Sequence, residues 1–212
     1  MRPDRAFYEG DTLAVTRALI GCTLFRRTEA GLCAGRIVEA EAYLGPRDDA
    51  AHSYRGRTRR VRVQYEGSGL AYIYMIYGLH RCFNITSGPA DAPEAILIRA
   101  LEPLTGLEVM AERSGGKTDK LCTGPGRLCR AMGLDRSLTG TFLLEGDFYL
   151  AQGETVPEEQ ILSSPRIGID YAGEDRDRPW RYFLRYSPYV SRPQPKRGGQ
   201  NAGRTRNGAA LQ

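Results

Sequence analysis

Residues 37–53 read Ile-Val-Glu-Ala-Glu-Ala-Tyr-Leu-Gly-Pro-Arg-Asp-Asp-Ala-Ala-His-Ser, and their first half constrains the fold more than any other stretch. From Ile37 to Leu44 the chain alternates: Ile37, Glu39, Glu41 and Tyr43 share one face, and Val38, Ala40, Ala42 and Leu44 the other. A period of two is the signature of a half-buried strand. Gly45-Pro46 ends it. The first face carries two carboxylates and a tyrosine, and His52 follows nearby. An exposed polar face would account for them, although a strand that needs only solvation more often shows Lys, Thr or Arg. The sharper alternative is a carboxylate placed at the mouth of an aromatic site.

At 212 residues and 41% hydrophobic content, the chain is one large domain or two small ones with a real core. No apolar run approaches a membrane span, and Met-Arg-Pro-Asp-Arg does not open a signal peptide. A cytoplasmic monomer, without membrane association, is the expectation. The five cysteines are odd in number and include no Cys-x-x-Cys pair, with only His52 and His80 to help them. Buried reduced thiols fit better than disulfides or zinc, and no metal or other cofactor is implied.

The net charge of +5 is unevenly spread. Residues 193–212 carry Lys196, Arg197, Arg204 and Arg206 with no acid, so the tail holds four of those charges and residues 1–192 hold one. The tail has almost nothing to bury and is expected to be disordered, leaving residues 1–192 as the folded domain. Inside that domain Arg55, Arg57, Arg59, Arg60 and Arg62 fall close together with no acid among them, a local cation cluster. Of the 30 basic residues, only Lys117, Lys120 and Lys196 are lysines.

Asp11 is placed to cap a helix over residues 12–20 that Gly21 stops. Strands are expected at Cys22–Thr28 and Leu32–Leu44, then a Gly-, Arg- and Asp-rich loop over 45–69. Residues 70–86 are dense in aromatic and β-branched side chains, with Tyr77-Gly78 in the middle. Two strands, 70–76 and 80–87, with Tyr77 at a hairpin tip are one reading; a single strand bulged at Gly78 is the other. Further strands are expected at Ala95–Leu101, Phe142–Leu150, Arg166–Ile169 and Arg181–Tyr186. Thr105-Gly-Leu-Glu108 has capping-box spacing and opens a helix to Ser114; Thr123-Gly-Pro-Gly opens another that Gly133 closes. The class is α+β: a curved, mostly antiparallel sheet with helices beside it and a protruding hairpin. No phosphate loop or metal-ligand cluster emerges.

Together these stretches offer a tyrosine at a hairpin tip, three further rings (Tyr43, His52, Tyr74), an arginine cluster and a carboxylate at Glu41. Aromatic faces stack nucleobases and arginines contact phosphates. A protruding wedge replaces a base drawn out of a duplex, and a carboxylate can act on water as a general base.

Five ordered motifs carry a resemblance to a known family. They are Glu-Ala-Tyr-Leu-Gly-Pro-x-Asp-x-Ala-Ala-His-Ser, Tyr-Ile-Tyr-x-Ile-Tyr-Gly-x-x-x-Cys-x-Asn-Ile, Ile-Leu-Ile-Arg-Ala-Leu-Glu-Pro, Leu-Cys-Thr-Gly-Pro-Gly-Arg-Leu-Cys and Pro-Arg-Ile-Gly-Ile. From Pro3 to Ser191 the chain resembles the 3-methyladenine DNA glycosylases of the alkyladenine type. The resemblance implies a monofunctional, metal-free enzyme acting on damaged purines in double-stranded DNA. It implies Glu41 as the water-activating carboxylate, helped by Arg99 and the main chain at Ile169. It places Tyr43, His52 and Tyr74 around the flipped base, Tyr77 in the vacated stack with Gly78 beside it, and Asn84 where the 2-amino group of normal guanine is excluded. The implied fold resembles the open Greek-key barrel of formyltransferase C-terminal domains.

One segment departs from the family pattern. Where the family shows Thr-x-Arg-Asn before a Met-Phe pair, this chain has Thr58-Arg-Arg-Val61 and then Gln64-Tyr65. Arg59 and Arg60 there, with Thr123, Gly124 and Arg127 at a helix start, are the candidate phosphate contacts; a plain helix start is the alternative for the latter three. Glu39 suggests a carboxylate pair with Glu41, but a structural role suits it better, and His80 reads as a surface or packing residue. A catalytically inactive nucleic-acid-binding module would not need Glu41, and a hydrolase of free nucleosides would need neither Tyr77 nor the arginines. The presence of both Glu41 and Tyr77 argues against each.

Overall fold

The strand at the centre of the sequence argument is also the centre of the computed structural model, which describes residues 2–89, 91–153 and 155–191. The basic tail expected at 193–212 lies outside them. In chain order the elements are α1 (Arg5–Tyr8), α2 (Thr12–Ala18), β1 (Thr23–Thr28), β2 (Gly31–Tyr43), β3 (Ala71–Ile76), β4 (His80–Ser87) and β5 (Glu94–Thr105). Then follow α3 (Leu107–Arg113), α4 (Pro125–Met132), β6 (Phe148–Ala151), β7 (Ile161–Ser164) and β8 (Arg181–Leu184). They build one domain around an open antiparallel sheet ordered β3-β4-β5-β2-β1-β6, with β8 pairing both β2 and β7. β2 is long enough to pair β5 along one edge while β1 takes its first half and β8 its second half on the other.

Alternation gives this sheet two different faces. Ala40, Ile73, Phe83, Ile85, Ile96 and Ile98 point to the main core, where they meet Leu19 and Ile20 from the end of α2 and Leu128, Cys129 and Met132 of α4. The residues between them point the other way. Across that second face the register forms one row, Tyr72 opposite Asn84, Asn84 opposite Leu97, Leu97 opposite Glu41 and Glu41 opposite Arg181. Five strands thus bring five distant sequence positions side by side.

Simple alternation misplaces one residue. Ile37, expected on the carboxylate face, belongs to the core with Ala40. The pairing shows why: Ile37 faces Leu101, Glu39 faces Ala100 and Ala40 faces Ile98, which leaves Val38 and Arg99 as extra residues on β2 and β5. Two adjacent bulges reverse the phase of each strand without ending the ladder. Nor is the carboxylate face exposed: Glu39 and Glu41 are both 0% accessible.

Other boundaries differ for local reasons. Arg166–Ile169 is a loop, because Pro165 follows β7 and Gly168 turns left-handed at φ 77°; the strand in that region is Ile161–Ser164. Of Phe142–Leu150 only Phe148 onward is strand, after a turn with Gly146 at φ 74°. α2 stops at Ala18, and a short α1, capped by Asp4, precedes it. The hairpin of β3 and β4 is two-stranded, which excludes the single bulged strand.

The capping box expected at Thr105 does not form. Thr105 remains in β5, and Gly106, at φ 78°, caps α3 without a side-chain bond. A Cβ there would run into the Leu32 carbonyl oxygen and lie 2.9 Å from Cys33 Sγ, so the tight passage from strand to helix demands glycine. Gly106→Ala is therefore expected to destabilise the fold by about 1–3 kcal/mol for the left-handed backbone alone, measurable by urea unfolding.

Candidate active site

The second face of the sheet is the floor of a cleft of about 580 Å³. β2 contributes Tyr43, β3 contributes Tyr72 and Tyr74, β4 Cys82 and Asn84, and β5 Leu97 and Arg99. The loop after β2 folds His52 over this floor, and the loop after β7 supplies Ile167, Ile169 and Tyr171. The β3–β4 hairpin stands at one rim with Tyr77; the start of α4, with Thr123, Gly124, Arg127 and Arg130, forms another.

Glu41 lies behind this lining rather than at its mouth. Its Oε1 accepts from the Ile167 N–H at 2.8 Å, and its Oε2 accepts from the Tyr43 hydroxyl at 2.9 Å and Arg99 Nη1 at 3.2 Å. All three donors belong to residues lining the cleft. A carboxylate offers about four acceptor positions, so about one remains. Burial and the neighbouring Glu41 charge push the Tyr43 phenol up, which keeps it a donor. The main-chain donor to Glu41 is Ile167; Ile169 lines the cleft beside it, and its carbonyl accepts the Ala172 N–H.

Tyr43 is held from behind. Arg166 stacks over its ring at 4.7 Å and over Trp180 at 4.9 Å, while its Nη atoms grip Asp48 at 2.5 and 2.8 Å. Both partners of that pair are fully buried. Asp48 in turn accepts from the Leu44 and Ala50 N–H groups and thereby shapes the loop that carries His52.

The opposite wall is a cluster of rings. His52 meets Tyr74 edge to face with centroids 4.5 Å apart, and its Nδ1 lies 2.9 Å from the Tyr72 hydroxyl. Burial, reinforced by the Arg60 charge, lowers the His52 pKa to about 4. Tyr72 is pushed up to about 12, chiefly by burial, which outweighs the nearby Arg60 charge. Arg60 also lies over the Tyr74 ring, 4.9 Å from its centroid. Asn84 gives Nδ2 to the Tyr72 and Cys82 carbonyls, leaving Oδ1 as its free polar atom toward the cleft.

The hairpin tip joins Ile76 to His80 through Tyr77, Gly78 and Leu79, the first two left-handed at φ 51° and φ 67°. Leu79 N–H closes it on the Ile76 carbonyl. Tyr77 is 84% exposed. At the other rim Gly124 caps α4 without a side chain, and a Cβ at Gly126 would come 3.2 Å from His80. His80 is accordingly an exposed rim residue packed on that glycine.

Of the residues singled out in the sequence, Tyr43, His52, Tyr74, Asn84, Arg99, Ile169, Tyr77, Thr123, Gly124 and Arg127 line this one cleft. Gly78 shapes the tip, Glu41 lies beneath, and Arg60 stands behind Tyr74. Arg59 is exposed and does not line it. Tyr72, Ile167, Arg166 and Asp48 were not anticipated. Tyr72 shares a face with Tyr74 by simple alternation, so its signal was present in Tyr-x-Tyr; the others depend on contacts more than a hundred residues apart. Among the described residues no group of three or more His, Cys, Asp or Glu is placed to hold a metal ion, and no helix is long and apolar enough to cross a membrane.

Rings on two walls, a carboxylate and guanidinium beneath, and arginines around the rim equip an enzyme to take in a flat aromatic group and act on a bond to it. Comparison with known sequences agrees. The methylpurine-DNA glycosylase family profile matches residues 6–188. Proteins from Methanoculleus marisnigri, Methanocella arvoryzae and Desulfitobacterium hafniense, each named "Putative 3-methyladenine DNA glycosylase", are 48%, 44% and 44% identical. The matches cover 88%, 90% and 90% of this chain and 97%, 96% and 98% of those proteins. The chain belongs to the methylpurine-DNA glycosylase family, and is thus a hydrolase of N-glycosyl bonds that serves base excision repair of DNA.

The depressed His52 pKa has a consequence for stability. The unfolded chain takes up the proton near pH 6.5, the folded one only near 4. Folding stability is therefore full above about 6.5 and falls as the pH drops through that window, because the unfolded state binds the extra proton. His52→Asn, which carries no such proton, should lose less stability than wild type between pH 7 and pH 5, as read by urea unfolding at the two values.

Proposed function

We propose that the protein flips an alkylated purine out of double-stranded DNA into the cleft and hydrolyses its N-glycosidic bond with a water activated by Glu41. The observation that carries this reading is the ligation of Glu41: three fixed donors and one open acceptor position, directly beneath the aromatic cleft. A water in that position would be oriented by the carboxylate and within the field of Arg99. The carboxylate would also face the positive charge that develops on the sugar as the bond breaks.

Alkylation at N3 or N7 leaves the purine cationic and already a good leaving group. Tyr43, Tyr74 and His52 offer it neutral π faces, each contact favouring a cation by about 0.5–2 kcal/mol. Unmodified purines lack that charge and are harder to unpair, so the base is selected both at flipping and in the cleft. Asn84, whose amide is fixed by two carbonyls, forms a rigid wall against which an exocyclic amino group would be tested.

Tyr77 is the proposed wedge in the vacated stack, and the start of α4, with Thr123, Gly124 and Arg127, the proposed phosphate contact. Tyr77 contributes little to the core, and its backbone is held in a conformation that costs a non-glycine residue about 1–2 kcal/mol. Tyr77→Gly is thus expected to keep or raise the melting temperature while losing capture and excision of the damaged base; a large fall in melting temperature would instead assign Tyr77 to the core.

The nucleophile is assigned to water because Lys117 and Lys120, the only lysines among the described residues, are not among the residues that line the cleft, and arginine stays protonated. Glu41→Gln keeps the shape of the site and removes the base. It should bind lesion-bearing duplex about as tightly as wild type, yet lose roughly 10²–10⁴-fold or more in single-turnover excision. Borohydride should trap no enzyme–DNA adduct. Near-normal excision by the variant, or a trapped adduct with wild type, would overturn the mechanism.

A further inference from the structure

We infer that Glu39 is the positioning residue for Arg99, a hub that ties the floor of the site to the C-terminal segment at Ser191; the inference rests on the proposed roles of Arg99 and Glu41. Glu39 lies two residues from Glu41 on the same face and is equally buried, but its ligation is different. It accepts from Arg99 Nε at 3.0 Å, Arg181 Nε at 2.7 Å, the Ser191 N–H at 2.6 Å and Ser191 Oγ at 2.9 Å. Arg99, Arg181 and Ser191 Oγ converge on Oε1, and the Ser191 N–H takes Oε2. Arg181 and Ser191 are not among the residues that line the cleft, whereas all three donors to Glu41 are. The two carboxylates are separated in role by their donors, not by their own chemistry.

The effect on Arg99 is geometric. A guanidinium between two carboxylates ordinarily offers a pair of parallel N–H bonds to one of them. Here Glu39 holds the Nε edge, Ser191 Oγ stands 3.5 Å from Nη2, and only Nη1 reaches Glu41. Released from Glu39, Arg99 could turn its fork onto Glu41 and fill the acceptor position a water needs. Arg181 keeps the group balanced, two carboxylates against two guanidiniums, and is itself anchored by Ser164 Oγ at 2.9 Å and the Phe183 ring at 4.4 Å. Burial works against an ionised Glu39, but Arg99, Arg181 and the Ser191 N–H outweigh it and hold its pKa below the usual carboxylate value.

The test uses Glu39→Asp and Glu39→Gln in the full chain, with duplex DNA carrying one N-alkylated purine. Glu39→Asp keeps the charge and withdraws the carboxylate by one carbon, so it stays informative if Glu39→Gln fails to fold. The expected result for Glu39→Asp is a loss of about 10–100-fold in single-turnover excision, the scale of coupling within one hydrogen-bonded network, with lesion-DNA affinity changed less than about threefold. In an Arg99→Gln background the same substitution should cost almost nothing further. Wild-type excision by Glu39→Asp, or an undiminished cost without Arg99, would overturn the inference. If wild-type protein excises nothing, the proposed function fails instead. The inference is then judged by NMR of the arginine Nε–H groups: Arg99 Nε–H should resist solvent exchange in wild type and lose that protection in Glu39→Asp, and equal protection in both would sink it.

Discussion

Arg99 lies between two carboxylates buried away from bulk solvent, and much of the molecule is arranged so that this is tolerable. Each ion taken out of water costs several kcal/mol unless its partners are in place. The partners come from four separate parts of the chain: β2, β5, β8 and the segment ending at Ser191. None of these can shift without stranding a charge. The paired bulges at Val38 and Arg99 are where the sheet yields to this demand. They turn Arg99, which stands among the apolar residues 95–101, toward the carboxylates and still let the ladder continue to Thr105. A regular β2–β5 pairing would carry Ile37 onto the charged face and open the core behind it.

The ring walls of the cleft are kept neutral, although Arg99, Arg127 and Arg130 line it. His52 stays neutral because it is buried and because Arg60 is already charged nearby. The tyrosines stay protonated for the same first reason, burial. A protonated imidazole 4 Å from a cationic purine would cost about 4 kcal/mol at an effective dielectric constant near 20, more than a single ring contact returns. Arg60 meets the cluster over the Tyr74 face, outside the cleft lining, and Arg166 meets Tyr43 from the side of Asp48. Both cations grip the rings from behind. The proposed specificity for cationic bases thus draws on rings whose outer faces are already occupied and whose cleft faces are neutral.

How much of this the sequence displays depends on the range of the interaction. β2, β3, β4 and the hairpin are legible because alternation and a Tyr-Gly turn are local signals. The ring set is legible for the same reason, apart from Tyr72, which alternation with Tyr74 would also have supplied. The error at Ile37 shows the limit: a period of two presumes an unbroken ladder, and the bulges come from a partner sixty residues away. Arg166 looks like a strand residue in sequence because Arg-Ile-Gly-Ile is β-like, yet its place is decided by Asp48, more than a hundred residues earlier. Ile167 as a donor to Glu41, and Ser191 as a donor to Glu39, leave no local trace at all, since any residue can supply a backbone N–H.

The hairpin tip carries a conformation that neither burial nor pairing requires. Two successive left-handed residues are met at low cost by Asn-Gly or Gly-Gly, and the β3–β4 ladder would close equally well over either. Instead the chain spends left-handed strain on a tyrosine that has almost no contacts of its own and stands beside the exposed Met75 and Leu79. Stability therefore does not explain the residue, and solubility argues against three apolar side chains at an exposed tip. What the turn does provide is a rigid mount: two fixed left-handed residues and one cross-turn bond hold an aromatic ring clear of the surface at the rim of the cleft. A ring so mounted suits a partner that presents a flat gap. The proposed vacated stack of a duplex is such a partner, and under the proposed function the ring at Tyr77 and the carboxylate at Glu41 would each find their remaining partner in the substrate complex.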